Sequence, residues 1–141
     1  MIQFSDDQEQ ISQFLETSLN KFRAEQQDPA SMGIYCSPQS GWLTTNFNSI
    51  QTLAEANNNC PDFEFVEFDI LELPAWQEEY ESEEPVFKTA NAELTLTADM
   101  GDEDLNEFIF NFLLLFAKDL RSRSGIPVLL QILDSKFAQV F

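Results

Sequence analysis

The chain has 141 residues, with 25 Asp and Glu against 7 Lys and Arg, no His, and a formal charge of −18. Its 43% apolar content and 14 Phe supply a core and exclude global disorder, and its length fits one domain burying roughly two-thirds of its unfolded surface. A field of this sign repels nucleic acid and anionic membrane and attracts basic proteins or cations.

The charge is unevenly spread. Residues 62–107 hold 16 acids and a single base, Lys88, while residues 108–141 hold 2 acids and 4 bases. That asymmetry predicts a localised acidic face.

In chain order, residues 6–26 read as an amphipathic helix. Ile11, Phe14, Leu15, Leu19 and Phe22 share one face, and Ser5 or Asp6 is placed to cap it. Residues 32–37 and 42–47 form a predicted hairpin around Pro38-Gln39-Ser40-Gly41. Asn48 or Ser49 would cap a short helix from Ile50 to Ala56. Residues 62–70 alternate like a half-buried strand, then lose register at Val66-Glu67-Phe68, which a bulge accounts for. Pro74 opens a short helix to Tyr80. Residues 86–98 look extended, with Leu94 to Thr97 as the strand core.

Residues 102–122 form the strongest helix signal, capped by Asp102 and stopped at Gly125. Its centre, Phe108 to Ala117, is apolar almost all round, which predicts a centrally buried helix. Val128 to Leu133 reads as a buried strand, and Asp134 to Phe141 as a short terminal helix. The order α-β-β-α-β-(α)-β-α-β predicts an α+β fold, a mixed and largely antiparallel sheet packed by helices, in one domain over residues 1–141.

The start of the chain does not read as a signal peptide, and no apolar run reaches the roughly 20 residues a membrane span needs. The expected compartment is the cytoplasm. Cys36 reads as a small core residue, and neither it nor Cys60 belongs to a CxxC zinc pair.

Without His, Ser-His-Asp and Cys-His catalysis and most zinc hydrolase sites fall away. Four glycines in no phosphate-binding pattern argue against nucleotide loops. Glu64, Glu67 and Asp69 could supply paired carboxylates, but strand periodicity turns Glu64 and Asp69 to opposite faces. Asp99, Asp102, Glu103 and Asp104 resemble a calcium loop in composition and fail its glycine spacing, so helix capping explains them better. No catalytic residue, metal site or cofactor is expected. Trp42 and Trp76 fit either core packing or an interface anchor.

The opening helix, Gly33-Ile34-Tyr35 on a first strand, Trp42 to Asn46 after the turn, and Leu73-Pro74-Ala75-Trp76 after a Phe-rich strand carry a resemblance. They resemble the immunity proteins of bacterial polymorphic toxin systems, including contact-dependent growth inhibition. The resemblance implies a cognate toxin, tight one-to-one binding and no catalysis. The expected function is therefore neutralisation of a basic toxin domain, with a nuclease as one candidate. Another acidic interaction protein, such as an adaptor or nucleic-acid mimic, is the alternative, and a carboxylate- or metal-dependent hydrolase the third reading. The expected contact residues are Glu78, Glu79, Glu81, Glu83 and Glu84, then Asp99, Asp102, Glu103 and Asp104. Trp76 and Tyr80 would form the apolar anchor, in a monomer or small homo-oligomer.

Overall fold

The computed structural model describes residues 1–141. The elements are β1 (Ile2–Gln3), α1 (Gln8–Glu25), β2 (Ser31–Ser37), β3 (Trp42–Asn48), β4 (Phe65–Glu72), α2 (Pro74–Tyr80), β5 (Val86–Lys88), β6 (Glu93–Thr95), α3 (Asp102–Ser124), β7 (Val128–Ile132) and β8 (Ala138–Val140). A five-stranded sheet runs β4-β3-β2-β7-β8, and a three-stranded one runs β1-β5-β6. Pairing is antiparallel except for β2 with β7 and β1 with β5. The fold is α+β, as the alternation of elements predicts.

Helices α1 and α3 cover one face of the large sheet. That face carries Met32, Ile34 and Cys36 of β2, Leu43 and Phe47 of β3, and Leu130 of β7, all buried in one core with the helices. Phe22 of α1 stacks on Phe47 at 4.4 Å and meets Phe65 and Phe68 edge-on at 5.1 and 5.3 Å. Each such pair adds about 0.5–1.5 kcal/mol beyond its buried area. Ser18 and Thr45 are both buried here and satisfy each other through a 2.6 Å hydrogen bond. Phe4 ties the small sheet to this core, 4.6 Å from the Trp76 ring and 5.5 Å from those of Phe87 and Phe112.

The opposite face is covered over one half only, by residues 49–64. Here the expected helix from Ile50 is absent. The Asn48 side chain, expected as a cap, bridges Ser31 and the Glu64 N–H instead, and the Glu64 carboxylate accepts the N–H groups of Ile50 and Gln51. Thr52 and Glu55 cap each other reciprocally, but only one turn follows before Asn57 and Asn58 enter left-handed geometry at φ 59° and 48°. The segment lies very close to the sheet: a Cβ on Gly33 would sit 2.6 Å from Cys60 Sγ. Gln131 of β7 fastens it, accepting the Cys60 N–H and donating to Asn59, both at 2.8 Å.

Other differences have local causes. Strand β4 starts later than expected because Cys60–Asp62 form a 3-10 turn. Its predicted bulge is present, with Glu67 at φ 52° and its N–H given to the buried Asn46 side chain. Residues 86–98 divide into two short paired strands, and the second stops at Thr95. The expected terminal helix is strand β8: Asp134 at φ 52° turns the chain back, and Phe141 and Val128 exchange backbone hydrogen bonds. Neither Ser5 nor Asp6 caps α1, since a 3-10 turn over Phe4–Asp7 runs straight into it. Helix α3 is not buried all round, for Leu115 is 71% exposed beside a groove of about 620 Å³ that α3 forms with α1 and the β5–β6 turn.

Candidate functional site

The acidic residues of α2 and α3, separate in sequence, meet at one end of the molecule. Pro74 starts α2 because its fixed φ suits a first helical turn. Gly41 lets that helix dock. Its carbonyl accepts the Leu73 N–H at 2.7 Å, its φ is +69°, and a Cβ there would strike the Leu73 oxygen at 2.3 Å. On α2 and just beyond it, Glu78, Glu81, Glu83 and Glu84 are exposed. Helix α3 begins with Asp102, Glu103 and Asp104, where carboxylates complement the positive end of its dipole.

The link between the two groups is a hydrogen bond from the half-buried Tyr80 hydroxyl to the Asp102 carboxylate. That carboxylate, by hydrogen bonding first, raises the Tyr80 pKa. Asp102 is therefore not the helix cap. Gly101 holds the capping position, and its N–H donates to Asp104 at 2.9 Å. Glu103 accepts from the Asn106 amide at 2.7 Å. The Ser135 hydroxyl, then Asn106, holds its carboxyl below the ordinary range. Asp99 is held low by the Thr97 hydroxyl. Asp99, Asp102, Glu103 and Asp104 thus each have a protein partner, and no three carboxylate or thiol groups of the molecule converge on one point.

Two expected contact residues are turned inward. Trp76 is 0% exposed, packs on Phe4, and donates its indole N–H to Asp7 at 2.9 Å. It is a core residue rather than a surface anchor, because the apolar face of a helix this short must pack inward for the helix to hold. Glu79 is half-buried. Burial works against its charge, yet the Met1 amino group at 2.6 Å and the Val86 N–H at 2.9 Å outweigh it and hold the carboxyl low.

Between the two acidic groups lies a polar pocket of about 270 Å³, bordered by Ser37, Gln39, Tyr80, Asp102, Asn106 and Asp134. Asn106 is buried and accepts from Gln39 at 2.9 Å, so the hairpin turn is tied to α3. The opposite end of α3, about 35 Å away at 1.5 Å per residue, carries Arg121 and Arg123. The helix is thus charged oppositely at its two ends.

Glu64, Glu67 and Asp69 do not form a catalytic pair. Glu64 organises the 49–64 segment, Glu67 sits at the bulge, and Asp69 accepts from Lys21 at 2.9 Å. Trp42, which the sequence leaves open between core and interface anchor and which is not among the expected contact residues, is only partly buried and lies 5.9 Å from the Tyr35 ring on the open half of the sheet. The strand alternation that puts Trp42 and Leu43 on opposite faces was the available signal. No family model, no curated protein and no solved structure matches the chain. No helix is long and apolar enough to cross a membrane.

Proposed function

We propose that this chain is a cytoplasmic, non-catalytic, immunity-type protein that binds a cognate basic toxin domain through its acidic end. The observation that carries the reading is the Tyr80–Asp102 bond, which joins two carboxylate groups from distant stretches of chain into one surface. Carboxylates so gathered raise the encounter rate with a cationic cleft and fix its orientation. A nuclease cleft, built for a polyanion, suits this charge, and occupying it needs no chemistry from the inhibitor.

The test replaces the exposed residues Glu78, Glu81, Glu83 and Glu84 together by Gln. Glu79 is left intact because its carboxylate is held inside the fold. Against the basic protein that co-purifies stoichiometrically at moderate salt, association should slow about ten-fold or more and lose most of its salt dependence. An unchanged rate with unchanged salt dependence overturns the reading. Binding to several unrelated basic proteins, all lost as salt rises, would favour a general acidic adaptor or nucleic-acid mimic.

A further inference from the structure

The open half of the large sheet carries Tyr35 of β2, Trp42 of β3 and Ile70 of β4, the last 54% exposed. Residues 49–64 pack against Tyr35 at the border of this half, whereas Trp42 and Ile70 belong to neither core cluster. Its charge is one-sided. No Lys or Arg occurs in any of the five strands. Glu72 is the cross-strand partner of Trp42, close enough for the two side chains to touch. Asp134 lies near Tyr35: after burial and Cys60, its negative charge contributes to raising the tyrosine pKa. The face also runs without a break into the polar pocket, through Ser37 beside Trp42 and through Asp134. One base, Lys136, lies beside Glu103.

An aromatic pair rimmed by carboxylates suits one kind of occupant. A neutral apolar surface would strip water from Glu72 and Asp134 without replacing it, which is costly. A second copy of the chain would bring like charges together. A cationic side chain satisfies both features, since it is drawn to the indole face and to the carboxylates beside it. Guanidinium fits best, being planar and weakly hydrated.

We propose that this half-sheet anchors the interface: an arginine of the basic protein partner lies over Trp42, between Glu72 and Asp134, with apolar neighbours on Tyr35 and Ile70. The inference rests on the binding function proposed above and adds a second contact to it. The acidic end governs how fast the partner arrives, and Trp42 governs how long it stays.

The probe is an oligoarginine peptide added at moderate salt to nitrogen-15-labelled protein. The two indole N–H signals are assigned with Trp42→Phe. The Trp42 signal should move saturably while that of the buried Trp76 stays still. Trp42→Ala and the surface reversal Glu72→Lys should each weaken the peptide about five-fold or more. Shifts confined to α2 and the start of α3, with Trp42 unmoved, would overturn this inference and leave the acidic-end reading standing. No saturable shift anywhere would overturn both. A Trp42 signal that moves with protein concentration alone would identify a second copy as the occupant and overturn the proposal.

Discussion

The two faces of the large sheet are held by different physics. Under α1 and α3 the contact is apolar: Phe22, Phe47, Ile34 and their neighbours are closed off from water, and the buried polar pair, Ser18 and Thr45, satisfies itself. Under residues 49–64 the apolar cluster is small, chiefly Leu53, Cys60, Phe63 and Leu129, and side-chain hydrogen bonds from Gln131, Asn48 and Glu64 carry the attachment. A face built on buried area tolerates polar change around it and fails when volume is lost. A face built on directed hydrogen bonds fails when a single donor, acceptor or charge is removed.

The largest effect is expected on the apolar face. Phe22→Ala removes a fully buried ring and its contacts with Phe47, Phe65 and Phe68. It should cost about 3–5 kcal/mol, read as a lower denaturant midpoint with unchanged slope. A loss under about 1 kcal/mol would mean that this core repacks freely.

A smaller and more local effect is expected across the sheet. Gly33→Ala sets a methyl against Cys60 Sγ and the Phe63 ring, and should cost about 1–3 kcal/mol. The readout is amide exchange, which should quicken over residues 50–62 and stay slow in α1. Uniform acceleration through both regions would show that the faces unfold as one unit.

The smallest effect is set by pH. The Ile50 and Gln51 N–H groups hold the Glu64 carboxyl below its ordinary value of 4.5. A depressed carboxyl stabilises the folded form above its unfolded pKa and loses that contribution as pH falls through the folded value. The Ile50 and Gln51 amide signals should therefore titrate with a midpoint below 4.5, and Glu64→Gln should abolish the movement. A midpoint at or above 4.5 would rule out this tether.

The contrast between the faces also explains what the sequence makes legible. Helices α1 and α3 and the β2–β3 hairpin follow from period, from the stop at Gly125 and from turn residues, because burial on the helix-covered face imposes a repeat, although the expected N-caps Ser5, Asp6 and Asp102 do not cap. The 49–64 segment imposes none. Its Thr52–Glu55 pair does start a helical turn, but the decisive partners, Gln131 and Glu64, are tertiary. Strand β8 was masked in the same way, since its pairing with β7 depends on the turn at Asp134. For the candidate site, charge density along the chain points to both carboxylate groups. Their convergence through Tyr80, the loss of Trp76 and Glu79 to the interior and the exposure of Trp42 depend on three-dimensional packing.

The parallel pairing of β2 with β7 governs how the chain reaches this state. Met32 is paired with Val128, so the central seam of the sheet joins segments that leave the ribosome far apart in time. Helix α1 and the β2–β3–β4 meander lie close together in sequence and can associate early, but one edge of β2 stays unsealed until β7 arrives. Closure of so distant a contact is entropically slow and leaves a sticky strand edge waiting. The dense negative charge of residues 62–107, made before β7, keeps nascent copies apart during that interval. The same carboxylates that would guide a partner to the finished molecule thus also protect the unfinished one from its own kind.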